Sequence, residues 1–247
     1  WREYFESFAR RKTESAIRAM LSPLVTELDV EDGRMLRVGN AWSARVFDGP
    51  FYLSPLNDRH RPSCSAVFVQ SADGNTGAVD PSSLGGGATD KHVIYEGLSR
   101  VAADGILAGA DTVRGANLMF SVWHPEFVTL RHALGLPRHP IQLVATRRGL
   151  DLDDSLLFNM PDVPVIVVTT DTGMSVMRVA AAQRPWIQIL VMDRADDLPH
   201  AFEQLRSMGV LRVSCIGGRR LAAQLFQAGL VDDLYLTSSA RRGGEPN

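Results

Sequence analysis

The stretch LRVSCIGGRRLAAQLFQAGLVDDLYL, residues 211–236, decides the fold. The spacing of its apolar residues changes from a strand-like to a helical pattern at a pair of glycines and back to a strand-like pattern after a third glycine. Residues 211–216 form a short β-prone run, and apolar side chains then recur at helical spacing from Leu221 to Ala228. Gly229 stands where a helix commonly ends, and residues 231–236 favour a further strand. The stretch therefore predicts a strand, a helix and a second strand of one sheet.

Gly217 and Gly218 stand where the first strand of this unit ends and the helix begins. Without Cβ atoms they let a ligand approach the backbone, and the unpaired N–H groups and dipole of a helix N-terminus favour an anion such as phosphate. The alternative interpretation is a tight strand-to-helix turn that binds nothing. A glycine pair alone does not separate the two.

Composition narrows the class of protein. The 247 residues, 45% of them hydrophobic, suit one large α/β domain or a domain with an appendage. A net charge of −2 without a long Lys/Arg block argues against nucleic-acid binding, and no apolar run is long enough for a membrane span. Cys64 and Cys215 lie in β-like runs and are predicted to be small core residues, which fits a cytoplasmic protein with no disulfide framework and no metal site.

The rest of the chain supplies further elements. Residues 1–61 are predicted to be an N-terminal appendage, with amphipathic helix in residues 2–21 and a hairpin-like turn at Asp32–Gly33. Residues 62–247 are predicted to form a central mixed, mostly parallel sheet with helices on both faces, in which 141–146, 165–169, 187–192 and 211–216 are neighbouring strands. Further predicted strands are 65–70 and 105–110, and the predicted helices are 174–183 and 196–208.

Several loops have sequences typical of ligand-binding segments. The segment SADG, residues 71–74, follows the strand 65–70, and a polar turn at a strand's end is where α/β sheets place ligand-binding groups. A Gly-rich run, Leu84–Gly87, leads to a helix that Thr89 or Asp90 can cap and that carries Arg100 near its last turn. Residues 116–139 are predicted to be a long irregular loop with about one helical turn, and such loops are often substrate lids.

These features in this order resemble the pyrimidine reductase domain of riboflavin biosynthesis, a family with the dihydrofolate-reductase-like fold. The similarity covers roughly residues 62–247. Its most specific parts are the motif Gly109–Arg114, GADTVR, and the glycine pair that leads through a helix to Gly229–Asp232, GLVD. The family continues into a final strand after residue 247, so we expect that strand to be missing or disordered here.

The resemblance implies an NADPH-dependent hydride transfer to the sugar C1′ of a ribosylamino-pyrimidine 5′-phosphate. It places the cofactor phosphates at the helix N-terminus, on Gly217, Gly218, Arg219, Arg220 and Leu221. Thr112 would hydrogen-bond the cofactor from the opposite strand, and Thr146 and Arg147 would lie on the adenosine side. An arginine there can pair with a 2′-phosphate, since its planar fork matches phosphate oxygens.

The resemblance also implies the substrate side of the site. Ser83 and Arg100 would face the substrate, and Asp73 would orient or protonate the sugar-derived imine. Hydride transfer depends mostly on alignment, so no triad and no metal are expected. The alternatives are that Asp73 is a turn residue and that Arg100 pairs with a surface carboxylate. Arg114 is better interpreted as capping its own turn.

The chain departs from the family in two places. Biosynthetic members commonly carry Glu directly before the glycine pair as a substrate ligand, whereas this chain has Ile216, which cannot accept a hydrogen bond. The Trp of the family's Gly-rich loop is also absent, replaced by Leu84–Gly86. The substrate is therefore left open, and so are two alternative functions: a pterin or dihydrofolate-type reductase, and a paralogue that binds nucleotide without turnover.

The resemblance also bears on a fused domain and on the oligomeric state. The deaminase domain often fused to this reductase would show a His-x-Glu and a Pro-Cys-x-x-Cys zinc signature, and neither occurs in this sequence. A homodimer is predicted, because the family is usually dimeric and the N-terminal aromatic face at Tyr4, Phe5 and Phe8 needs covering.

Overall fold

The computed structural model describes residues 36–38, 41, 51–56, 58–77, 84, 100–114, 119–194 and 197–244. Several sequence-based predictions lie outside these residues: the helix in 2–21, the turn at Asp32–Gly33, the role of Ser83, and the helix capped at Thr89 or Asp90. None of the helices in the described part is long and apolar enough to cross a membrane.

The described residues form strands and helices in the following order. They are β1 (Leu36–Val38), β2 (Phe51–Leu53), β3 (Ser63–Gln70), β4 (Gly105–Gly109), α1 (Ala110–Val113), α2 (Pro125–Ala133), β5 (Ile141–Ala145), β6 (Val165–Thr170), α3 (Asp171–Ala182), β7 (Ile187–Met192), α4 (Leu198–Ser207), β8 (Arg212–Gly217), α5 (Arg219–Gln227) and β9 (Asp233–Ser238). A 3₁₀ turn, Leu156–Phe158, precedes β6.

Seven of the strands form one sheet in the order β7-β6-β5-β4-β8-β3-β9. All six pairings in this sheet are parallel, which agrees with the predicted mostly parallel sheet, and β1 and β2 form a separate two-stranded antiparallel sheet. The unit predicted from residues 211–236 is confirmed: its two strands, β8 and β9, lie on either side of β3. Because the seven strands of this sheet run the same way, they all begin at one edge, here called the amino edge, and end at the other, the carboxyl edge.

One detail of the predicted neighbourhood is wrong. β5, β6 and β7 are adjacent as predicted, but β4 lies between β5 and β8. All five residues of β4 are buried, which suits a central strand covered on both faces. Gly105 of β4 packs closely on its neighbour, since a Cβ there would lie 2.6 Å from Cδ1 of the Leu143 side chain of β5.

The core lies on both faces of this sheet. On one face α4 and α5 bury Phe202, Leu205 and Leu225 against the sheet, and on the other α1 and α3 bury Val113 and Met177. Cys64 and Cys215 belong to the first cluster and are buried free thiols, as predicted. Burial raises the pKa of the Cys215 thiol to about 12, which keeps it protonated and inert.

The prediction of an irregular loop over residues 116–139 is wrong for part of its length. Pro125–Ala133 is a nine-residue helix, α2. Its start has a clear physical cause: the His124 ring accepts a hydrogen bond from the Glu126 N–H at 3.2 Å, and Pro125 occupies the first helical position, where a missing N–H costs nothing. Its buried face contains Phe127, Leu130 and Arg131.

Arg131 fastens this helix to the amino edge of the sheet. Its guanidinium is fully buried and donates to the carbonyls of Arg100 and Ala103, both at 2.7 Å, and to Pro137 at 2.9 Å. Burial lowers the pKa of Arg131 to about 10. The segment from 119 to 139 therefore supports the beginning of β4 and β5, and the interpretation of this segment as a lid over the strand ends is not supported.

Asp232, in the GLVD motif, is also a structural residue of the amino edge. Its carboxylate accepts two hydrogen bonds from the Arg61 guanidinium, at 2.8 and 2.9 Å, and one from the Cys64 N–H at 2.8 Å. Burial disfavours the charge, but these donors outweigh it and the pKa of Asp232 lies below its ordinary value. The contacts hold the start of β9 beside the start of β3.

Candidate functional site

The glycine pair forms the turn between β8 and α5 at the carboxyl edge. Gly218 is the residue before the helix and has φ +94°, a conformation that residues with a Cβ rarely adopt. No side chain caps the first turn of α5, and no acidic residue lies in it. The start of this helix thus presents backbone N–H groups, with a partial positive charge, at the carboxyl edge.

The corresponding turn after β4 packs directly against the glycine pair. A Cβ on Gly218 would lie 3.3 Å from the Cα of Gly109, and one on Gly217 would lie 2.9 Å from Oγ1 of Thr112. The two turns are therefore in contact, and the glycines are required in part by this packing. The same contact brings Thr112 beside the glycine pair.

Exposed arginines surround these turns. Arg219 and Arg220 lie in the first turn of α5, and Arg147 follows the end of β5 by two residues; all three are exposed. Because β4 separates β5 from β8, the two arginine-bearing turns start about 10 Å apart, or two strand spacings. This distribution of positive charge suits a ligand with more than one anionic group.

The turn after β5 is shaped by hydrogen bonds that occupy Thr146. Its buried hydroxyl donates to the Gly149 carbonyl at 3.0 Å, and the Arg147 carbonyl accepts from Thr170 Oγ1 at 2.7 Å. A Cβ on Gly149 would lie 2.8 Å from the Gly173 carbonyl, so this turn packs on the first turn of α3. Thr146 thus forms the turn, while the Arg147 side chain extends from it into solvent.

A cavity of about 120 Å³ lies beside this turn. The side chains of Val113, Leu150 and Phe158 give it apolar walls, and Arg114 and Asp151 also line it. Arg114 is held within its own turn, as predicted, since its backbone N–H donates to the Ala110 carbonyl and its guanidinium pairs with Asp111 at 2.7 Å.

Asp73 lies at the carboxyl edge, in the loop that follows β3. Its Oδ2 accepts a hydrogen bond from the Gly243 N–H at 3.0 Å, and its Oδ1 lies 3.8 Å from Nε of the exposed Arg242. β3 neighbours β8, so Asp73 and the glycine pair follow adjacent strands. The residues brought to one edge are therefore Asp73, Thr112, Thr146, Arg147 and the stretch Gly217–Leu221.

Arg100 lies at the opposite edge. It precedes β4, its guanidinium donates to the Ser121 carbonyl at 3.1 Å, and it lies over the Phe120 ring at 5.7 Å. Phe120 is in turn held by Gln142, the second residue of β5, through hydrogen bonds of 2.8 Å in both directions. The structure therefore does not bring Arg100 to Asp73 and the glycine pair.

Sequence reasoning missed two buried polar side chains of the amino edge, Arg131 and Gln142. A signal for Arg131 was present: it follows Phe127 by four residues and so shares its helical face. Nothing in the β-prone run that contains Gln142 distinguishes it. In the described part of the chain, no three His, Cys, Asp or Glu side chains group as metal ligands.

Comparison with known proteins places these observations in a family. The model of the RibD C-terminal domain matches residues 62–241. A comparison with curated proteins finds no match. A crystal structure of a pyrimidine reductase-like protein from Corynebacterium diphtheriae is similar, with 25% identity, 78% of each chain covered and a TM-score of 0.60.

Two longer proteins share the fold at 18% identity. The deaminase and 5-amino-6-(5-phosphoribosylamino)uracil reductase of Thermotoga maritima matches over 75% of this chain and 47% of its own, with a TM-score of 0.53. RibD of Acinetobacter baumannii matches over 75% and 48%, with a TM-score of 0.55. The chain spans about half the length of these two proteins.

The parallel sheet with helices on both faces is a dihydrofolate-reductase-like fold. The chain belongs to the RibD C-terminal domain family.

Proposed function

We propose that this protein is an NADPH-dependent reductase of a ribosylamino-pyrimidine phosphate, or of a related heterocycle, in riboflavin-type biosynthesis. The observation that carries the proposal is the start of α5, which has no side-chain cap and is surrounded by Arg219, Arg220 and Arg147. Family membership and the likeness to a pyrimidine reductase-like protein support it.

The residues at the carboxyl edge fit a dinucleotide phosphate. Gly217, Gly218 and the first turn of α5 would hold the pyrophosphate, because a helix N-terminus without an acidic residue attracts anions. Arg147 would pair with the 2′-phosphate. The hydroxyl of Thr146 is used within its turn, so its proposed contribution is to shape the turn that carries Arg147.

The chemistry that bound NADPH supplies is a hydride, transferred to C1′ of the substrate's sugar chain. The protein has to align the two reacting carbons, which needs few acidic groups. Thr112, in contact with the glycine pair, would orient the cofactor, Ser83 would contact the substrate, and Asp73 would hold the loop after β3 that borders the substrate. Arg100 is a weak candidate for substrate binding, because its guanidinium is buried at the amino edge.

The identity of the heterocycle depends on Ile216. Its side chain is buried among core residues, with 5% exposed, and it cannot accept a hydrogen bond from a substrate hydroxyl or amine. This observation keeps open a pterin-type substrate and a paralogue that binds nucleotide without turnover. A cytoplasmic location and a homodimer remain predictions.

The proposal is tested by NADPH oxidation, followed at 340 nm, across a panel of ribosylamino-pyrimidine phosphates and pterins. Turnover of one panel member is expected; NADPH binding without oxidation of any of them would favour the non-catalytic alternative. Gly218→Val should weaken NADPH binding, because a Cβ at φ +94° forces the turn to change and blocks approach to the backbone. Full affinity in a folded Gly218→Val protein would make the glycine pair a structural turn.

A further inference from the structure

The loop that carries Asp73 is bound to the segment that follows β9. Residues 239–244 run beside residues 70–77, and backbone hydrogen bonds join Ser239 N–H to the Gln70 carbonyl at 2.8 Å and Ala72 N–H to the Arg241 carbonyl at 2.7 Å. We call residues 239–244 the clasp segment. It extends the contact between β3 and β9 past the ends of both strands.

Two side chains of the loop complete this contact. The Asp73 carboxylate accepts from the Gly243 N–H at 3.0 Å, and the Asn75 side-chain amide donates to the Gly243 carbonyl at 3.0 Å. Asp73 and Asn75 therefore bind both backbone polar groups of Gly243. Asn75 and Ser71 also close the loop on itself, since the Ser71 N–H donates to the Asn75 carbonyl at 3.0 Å.

The clasp segment also touches Leu84 and Gly77. A Cβ on Gly244 would lie 2.5 Å from Cδ2 of Leu84 and 2.9 Å from the Gly77 carbonyl. Leu84 is buried, and Gly244 has φ +81°, so a glycine is required at this position for both space and backbone conformation. The clasp segment therefore contacts residues 70–77 and also Leu84.

We infer that Asp73 is a positioning residue, which with Asn75 fixes the loop after β3 by binding the clasp segment. The inference rests on the proposed function in so far as this loop borders the substrate. A carboxylate oxygen that accepts an N–H bond acts as an acceptor, whereas a proton donor needs its proton directed at the substrate. The clasp contact uses Oδ2 of Asp73 for the first of these two tasks, and Asp73→Asn tests whether the second is needed.

Two substitutions of Asp73 distinguish acceptance of the Gly243 hydrogen bond from proton donation to the substrate. Asp73→Asn keeps an acceptor oxygen for the Gly243 N–H but cannot act as an acid, and Asp73→Ala removes both functions. Amide hydrogen exchange at Ala72 and Gly243 reports the clasp without any substrate. For Asp73→Ala we expect exchange faster by about ten- to hundredfold, the equivalent of one charge-assisted hydrogen bond. Asn75→Ala loses a neutral hydrogen bond, so its exchange should be faster by about two- to tenfold. Asp73→Asn should exchange within a few-fold of wild type.

Arg242→Ala is the matched control, because this side chain is 86% exposed and lies 3.8 Å from the carboxylate. Where a substrate is turned over, Asp73→Asn should retain kcat within about fivefold, while Asp73→Ala raises KM. Unchanged exchange in folded Asp73→Ala and Asn75→Ala would overturn the clasp. Loss of kcat in Asp73→Asn with normal exchange would overturn the positioning role and make Asp73 the acid. If no substrate is turned over, exchange alone decides the clasp and only the proposed function fails.

Discussion

Replacing Asp232 by alanine should destabilise the fold and leave cofactor binding intact. The carboxylate accepts hydrogen bonds from both terminal nitrogens of Arg61 and from the Cys64 N–H, at 2.8 to 2.9 Å, and the side chains of Asp232 and Arg61 are 25% and 19% exposed. Alanine removes the acceptor that both terminal nitrogens of Arg61 and the Cys64 N–H share. We expect a loss of about 2–4 kcal/mol in the free energy of unfolding.

For a chain of this size each kcal/mol lowers Tm by about 2–4 °C, so the expected fall is roughly 4–16 °C. Calorimetry of Asp232→Ala measures it, and Asp111→Ala is the matched control, because its ion pair with Arg114 is exposed and contributes less than about 1 kcal/mol. NADPH affinity of the folded Asp232→Ala protein should equal that of wild type, since Asp232 lies at the amino edge. A Tm within about a degree of wild type would refute the structural role, and a large loss of NADPH affinity would refute the separation of the two edges.

The pH dependence of this contribution follows from the depressed pKa of Asp232. Stabilisation by the carboxylate is complete above its ordinary pKa of 3.8 and is lost as the pH falls through the lower folded-state value. The difference in stability between wild type and Asp232→Ala should therefore shrink only in acid, below pH 3.8.

Two further predictions concern stability. Gly173→Ala places a Cβ 2.0 Å from Thr169 Oγ1, so it should lower the free energy of unfolding, measured in urea, by about 1–3 kcal/mol. The double variant Gly173→Ala with Thr169→Ala removes the clashing hydroxyl and should recover part of this loss. No recovery in the double variant would exclude the clash as the cause. Burial and the neighbouring Arg138 and Arg131 lower the pKa of His139. The stability that the neutral ring contributes is therefore fully present above pH 6.5 and is lost as the pH falls from there through the folded-state pKa. His139→Gln should flatten this part of the stability curve, with the exposed His200→Gln as control, and equal slopes in all three proteins would contradict the prediction.

The strands were predictable from sequence because their apolar runs are continuous and end at glycines or polar turns, as in residues 105–109 and 212–217. The spatial order of the strands was not predictable, since the insertion of β4 between β5 and β8 depends on how the crossover connections run. Helix α2 was missed because aromatic residues and Pro125 obscure its short apolar face. Strand ends, by contrast, are local features, so residues that follow them could be assigned to one edge in advance.

The assignment of individual side chains depended on contacts that no local pattern encodes. Arg100 fitted a substrate role by motif, yet its guanidinium lies against Ser121 and Phe120, which are distant in sequence. Asp73 was placed at the correct edge, but its partner is Gly243, 170 residues later. The sequence therefore located the carboxyl edge and its glycine turn. Which residues stabilise the fold and which are available to bind a ligand could be judged only from the tertiary structure.

The most direct test of the proposed cofactor site is a titration of wild type and Arg147→Ala with NADPH and with NADH. The two dinucleotides differ by the 2′-phosphate, so removing a charge-assisted contact worth about 1.5–3 kcal/mol should weaken NADPH about ten- to hundredfold and leave NADH within about twofold. Arg148→Ala, an exposed neighbour, is the control and should change neither affinity. Equal weakening of NADPH and NADH by Arg147→Ala, or no binding of either dinucleotide to wild type, would contradict the account.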